Sequence, residues 1–177
     1  MINLFQVLFL VLSTIIITVA PTNIIDQTCA QIVKLDPLIV HDFCVSTLKS
    51  DPRSDNANLT TLFQISLDMV QHNASGVIPI INGYFDDPKI TGESKGALSD
   101  CLAEYSRVSD AITSALNYFN AKDLEGANVA ISGVSGGTNI CDTSFKQYNL
   151  TPLLSKQDDD LFNLADIALG ILELFRS

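Results

Sequence analysis

The chain is 177 residues long, enough for one domain with a core of its own. Hydrophobic residues make up 47% of it, with few Gly and Pro and only four Cys, which excludes a disordered chain and a small disulfide-dense scaffold. Ten Lys and Arg against twenty Asp and Glu leave a formal charge of −10, which argues against nucleic acid or an anionic membrane, favours cationic partners and keeps a secreted chain soluble.

From Leu4 to Ala20 the chain is apolar, broken only by Gln6, Ser13, Thr14 and Thr18. The run is short for a membrane span and the right length for a signal peptide over residues 1–22, with an uncleaved anchor as the alternative. Pro21 moves the expected cut a little beyond Ala20. Secretion lets the four cysteines pair. It also gives meaning to three glycosylation sequons, at Asn58, Asn73 and Asn149. The mature domain is expected over 23–177, with a helical hairpin over 23–50 and a four-helix bundle over 57–177.

Ile24 to Ser50 reads as two short helices around Asp36-Pro37, because proline moves the residue before it out of the helical region. Ile25, Cys29, Ile32 and Val33 make one apolar edge; Val40, Phe43, Cys44, Thr47 and Leu48 make the other. Cys29 and Cys44 are nearly equidistant from the turn and so face each other. Asp51 to Asn58 is a polar linker. Leu59, Leu62, Ile65, Ser66 and Met69, with Val70 beside them, then mark a long helix. Val77 to Phe85 could pass for a strand, but a lone strand would have no sheet to join, so a helix kinked at Pro79 is expected. Asp86 to Gly96 is a polar connection.

Two long helices follow. Leu98, Cys101, Tyr105, Val108, Ile112, Ala115 and Phe119 recur in steps of three and four, and after a break at 120–123 so do Leu124, Ala127, Ile131, Val134, Thr138, Cys141 and Phe145. A short loop between them makes an antiparallel hairpin. Cys101 and Cys141 are each twenty residues from Ala121, so the spacing predicts a Cys101–Cys141 disulfide across it. With Cys29–Cys44 this is the simplest of three connectivities. After a loop at Asn149 to Lys156, Ser155 and Asp158 resemble a capping box. Asp158, Asp159 and Asp160 suit the positive end of a helix better than a metal site. Leu161, Leu164, Ala168, Ile171 and Phe175 form the last seam. The fold class is all-α: an antiparallel up-down-up-down four-helix bundle with an N-terminal α-helical hairpin.

Gly133-Val134-Ser135-Gly136-Gly137 matches the G-x-S-x-G nucleophile elbow, which needs a strand before it and a histidine beside it. Here it falls inside a helix, and His41 and His72, the only histidines, read as helix-surface residues. Its glycines predict a locally weak or bent helix before Cys141, at about 1 kcal/mol each against alanine. The sequence holds no zinc spacing, phosphate loop or dinucleotide fingerprint, so no enzyme, cofactor or metal is expected.

Ala97-Leu98-Ser99-Asp100-Cys101-Leu102-Ala103-Glu104-Tyr105 resembles the A-L-x-D-C-x-x-x-Y signature of the plant invertase and pectin methylesterase inhibitor family. Ala127 to Ser132, Cys141, Phe145, Thr151-Pro152-Leu153 and Ala168-Leu169 continue the likeness in order. Thr28-Cys29 and Asp42-Phe43-Cys44 match its first cysteine pair. The resemblance implies the same bundle and the same two disulfides. It also implies a secreted protein of the cell wall or vacuole, a monomer until it binds a carbohydrate-active enzyme one-to-one and blocks its cleft. His41 to Val45 looks most like the branch of invertase inhibitors that includes a tree-pollen allergen. Some invertase inhibitors insert a Pro-Lys-Phe tripeptide at the hairpin tip; the matching positions here are Leu124-Glu125-Gly126, and Pro88-Lys89-Ile90 lies in the wrong loop. The branch likeness implies an acid invertase as the target, and the missing tripeptide keeps pectin methylesterase as the alternative. In the invertase mode the tip residues Asn120, Lys122, Asp123, Leu124 and Glu125 approach the enzyme, Lys122 pairing with glycosidase carboxylates. In the other mode the bundle flanks carry the contact. A carrier of an apolar ligand is a third reading, opposed by the regular large seam residues.

Overall fold

The structure, a computed structural model, describes residues 23–90 and 92–176. The expected signal peptide lies outside the described residues. The described chain forms α1 (Ile24–Leu35), α2 (His41–Lys49), a 3-10 turn (Pro52–Asn56), α3 (Leu59–Asp86), α4 (Gly92–Asn120), α5 (Leu124–Gln147) and α6 (Ser155–Glu173). Polar side chains start several of these. Asn23 Oδ1 accepts from the Ile25 amide at 3.0 Å, Asn58 Oδ1 from the Thr61 amide at 2.9 Å, and Asp123 Oδ1 from the Gly126 amide at 2.8 Å. Each satisfies an amide that the first helical turn leaves without a partner.

Helices α3 to α6 pack in a ring, each on the next, with α6 closing onto α3. Three aromatic rings set the alternation of direction. Phe63 near the start of α3 lies 4.6 Å, centroid to centroid, from Phe119 at the end of α4, and Phe175 just past α6 lies 4.9 Å from Phe119. Arg176 reaches Glu125, at the start of α5, at 2.8 Å. One end of the bundle thus gathers the start of α3, the end of α4, the start of α5 and the end of α6, which is an up-down-up-down bundle. Its axis is filled by the seams read from the sequence, including Leu62, Leu98, Ile112, Ile131, Leu161 and Ile171, all buried. Val70 rather than Met69 takes the buried position on α3.

The α1–α2 hairpin packs on the bundle mainly through α6. Gly170 permits this: a Cβ there would lie 2.9 Å from Cβ of Ile32. Cys29–Cys44 closes the N-terminal hairpin, with Cα atoms 5.8 Å apart, and Cys101–Cys141 ties α4 to α5 at 4.5 Å.

Several expectations need correction. The polar linker is a 3-10 turn capped by Asp51, with Arg53 bridging Asp51 at 2.6 Å and Asp68 at 2.8 Å. The stretch around Pro79 is helical as expected, within one helix through to Asp86; Pro79 faces solvent, where water can serve the carbonyl it leaves unbonded. Helix α4 starts at Gly92, inside the expected connection. Ser155 forms no capping box: Leu154 precedes α6 without a side-chain cap, and Asp158 turns into the core. Helix α5 runs through Gly133, Gly136 and Gly137 without a break.

The two cross-links close loops of 15 and 40 residues. Replacing Cys101 and Cys141 by serine should cost about 4 kcal/mol in the chain-entropy model, and replacing Cys29 and Cys44 about 3 kcal/mol. Urea unfolding of the two double variants against the parent measures both. A larger loss from the N-terminal pair would show that the hairpin, and not the central helix pair, is the critical staple.

Candidate functional site

The tip of the α4–α5 hairpin is a tight, backbone-defined turn. The Lys122 amide bonds to the Phe119 carbonyl at 3.0 Å and the Asp123 amide to the Tyr118 carbonyl at 2.9 Å, the two bonds of a Schellman ending. Lys122 occupies the left-handed position at φ 64°, where glycine is usual. Asp123 closes α4 with its amide and opens α5 with its carboxylate, so no slack separates the helices.

The five tip residues expected to meet a target do come together, with unequal freedom. Asn120, Lys122, Asp123 and Glu125 are exposed and Leu124 is half-buried. Asp123 is held by its capping role. Lys122 Nζ stands 5.8 Å from the centroid of the Phe119 ring, within cation–π reach. Glu125 is bound by Arg176, which also contacts Glu173 at 3.2 Å. Lys122 is therefore not the sole base at this end. Arg176 was missed because it lies 51 residues from Glu125; the bundle topology, which returns the end of α6 to the start of α5, was the signal for it.

The tripeptide position has a physical explanation here. A Cβ at Gly126, the position matched to phenylalanine, would lie 2.6 Å from Cδ1 of Tyr118. The Tyr118 ring thus lies over Gly126, and at 44% exposure it is the large aromatic of the tip. Val129, 63% exposed, continues the apolar surface along α5.

On the flank, a groove of about 410 Å³ runs between α4 and α5. Glu104, Arg107 and Ser114 line one wall and Gly133, Gly137 and Thr138 the other, over a floor of Tyr105, Val108 and Leu161. Gly133 and Gly136 face open space, while a Cβ at Gly137 would stand 3.1 Å from Oε2 of Glu104. Missing side chains on α5 therefore open the groove.

Ser135 does not stand in a hydrolase constellation. Its hydroxyl donates to Oδ1 of Asp166 at 3.4 Å, and His41 lies against Asp42 on α2 while His72 is an exposed residue of α3. Burial, with Asp36 adding and the Ser135 bond opposing, pushes the Asp166 carboxyl up to about 6. No group of three or more His, Cys, Asp or Glu suited to a metal occurs among the described residues.

The three sequons differ in setting. Asn58 is exposed, with its Oδ1 engaged as the α3 cap. Asn73 is half-buried within α3, its Oδ1 enclosed without a partner. Asn149 is exposed beyond α5 at φ 56°, with exposed Thr151 following.

The model of the family described as plant invertase/pectin methylesterase inhibitor matches residues 23–171. The chain belongs to that family. A Platanus acerifolia protein regarded as an invertase inhibitor is 29% identical over 157 residues, covering 88% of this chain and 87% of its own. A pectinesterase inhibitor of Actinidia deliciosa is 31% identical over 135 residues, 74% of this chain and 71% of its own. A crystal structure of a mutant pectin methylesterase inhibitor from Arabidopsis superposes with a TM-score of 0.67 at 22% identity, over 85% of this chain and 95% of that one, and supports the fold alone. Family membership makes this chain an inhibitor of enzymes and not an enzyme.

Ser135→Ala should therefore leave any inhibition unchanged and cost no more than about 1 kcal/mol, the net value of one hydrogen bond. A panel of ester substrates and a urea melt check this. Ester hydrolysis by the parent that disappears in the variant would contradict it.

Proposed function

We propose that this chain is a secreted inhibitor of an acid invertase of the cell wall or vacuole, binding one-to-one as a monomer and closing the enzyme's cleft. The observation that carries the reading is the likeness to the Platanus acerifolia protein, which extends over nearly the whole described chain. The site adds physical support. The tip is rigid, so little ordering entropy is lost on docking. It presents Tyr118, a residue type that anchors interfaces, and Lys122, a base that can complement glycosidase carboxylates, while Arg176 is already engaged by Glu125 and Glu173.

Pectin methylesterase is the second reading. It is favoured by the likeness to the Actinidia deliciosa inhibitor and by Gly126 standing where the tripeptide would place phenylalanine. In that mode the α4–α5 flank carries the contact and the tip matters little. Secretion would also bring glycosylation, and Asn149 is the sequon whose exposure best suits a glycan, Asn73 the one whose enclosure suits it least.

Titration against an acid invertase and a pectin methylesterase at mildly acidic pH separates the readings. Lys122→Glu and Tyr118→Ala should each weaken invertase inhibition by about tenfold or more, a loss of about 1.4 kcal/mol. Inhibition of pectin methylesterase alone, untouched by both substitutions, rejects the invertase assignment.

A further inference from the structure

Asp158 sits in the first turn of α6, where a carboxylate ordinarily faces water, yet it is 4% exposed. Its Oδ1 accepts a hydrogen bond from the Tyr105 hydroxyl at 2.9 Å, and its Oδ2 is buried and receives no hydrogen bond. An ionised carboxylate in that position is poorly served, whereas a neutral carboxyl needs only one acceptor for its proton. The neighbouring charges favour the neutral form. On α5, Asp142 interacts directly with the Asp158 carboxyl; Asp142 is itself bound by Lys146 at 3.0 Å and receives the Ser155 hydroxyl at 3.4 Å. On α6, Asp159 and Asp160 add negative charge, and Lys156 is engaged by Asp160 at 2.5 Å. On α4, Glu104 and Arg107 are paired with each other. Among the described residues no cation is ion-paired with Asp158.

We propose that Asp158 is a proton-holding latch: when neutral it accepts from Tyr105 through Oδ1 and donates through Oδ2 to Asp142, tying the first turn of α6 to α4 and α5, and when ionised it is repelled by Asp142 and that turn loosens. Tyr105 and Leu161 also floor the flank groove, so the latch holds the groove's base. The inference is independent of which enzyme is the target.

Burial pushes the Asp158 carboxyl up to about 7, the Tyr105 bond opposing while the charges of Asp142 and Asp159 add to the rise. In the unfolded chain an aspartate titrates near about 3.9. Between those values the folded protein keeps a proton that the unfolded chain has lost. The contribution of this group to stability is therefore fully present in acid and is lost as pH rises through this window, by up to about tenfold in the folding constant per pH unit. Asp166, held up to about 6, acts in the same direction over a narrower range.

Chemical unfolding from pH 4 to pH 8, with disulfides intact, tests the latch in the parent, Asp158→Asn and Asp166→Asn. Asparagine keeps an acceptor for Tyr105 and a donor for Asp142 but cannot ionise. Asp158→Asn should abolish the part of the pH slope that Asp166→Asn leaves, and should be at least as stable as the parent at neutral pH. A profile superimposable on the parent's overturns the latch. Carbon NMR of the parent's carboxyls gives a second readout, independent of whether any variant folds: a carboxyl of Asp158 already ionised at pH 5 also overturns it. Tyr105→Phe removes the bond that favours the charged form, so it should raise the Asp158 midpoint; an unmoved midpoint removes Tyr105 from the device.

Discussion

The close approach of α4 and α5 is the constraint from which the rest of the molecule follows. With Cα atoms of Cys101 and Cys141 only 4.5 Å apart, the two helices are in near contact at the end remote from the tip. One turn further in, a Cβ at Gly137 would stand 3.1 Å from Oε2 of Glu104, tighter than an ordinary contact. A disulfide at one end and a turn without slack at the other fix the register of the pair. The aromatic group of Phe63, Phe119 and Phe175 then seats α3 and α6 against it.

Helix α5 carries a cost for this arrangement. Three glycines in two turns weaken a helix by about 1 kcal/mol each. The covalent tie at Cys141 and the hydrogen-bonded start at Asp123 hold both ends of the segment, so a sequence that would fray alone stays helical. The absent side chains leave the flank groove, and Tyr105 at its floor meets Asp158.

Much of the fold was legible because it is written in period. The seams of α3 to α6 and the symmetric spacing of the cysteines about their turns define the bundle and both disulfides before any coordinate is known. Asp158 was misread because its position satisfied a local rule, acid at a helix start, while its phase obeyed another: it stands three residues before Leu161, on the same seam. Tyr105 on a buried seam was the complementary signal, since an enclosed phenol needs a partner. The Glu125–Arg176 pair and the ring of Tyr118 over Gly126 depend on three-dimensional return of the chain and on the volume of one missing side chain. Neither leaves a periodic trace.

The Tyr118–Gly126 contact has a consequence beyond this chain. The space above position 126 is taken by the ring of Tyr118 and by Oδ2 of Asp123, 2.6 and 2.7 Å from where a Cβ would stand, so a side chain of its own there would have to displace both. A relative that gains bulk at 126 must turn its residue 118 aside or shrink it, and must also shift the capping carboxylate at 123. Across the family the two positions should therefore covary as alternatives, each lineage furnishing the tip's aromatic from one helix or the other. Exchange between the two would begin at 118, since bulk gained first at 126 would collide with the ring while loss of the half-exposed ring leaves only open surface.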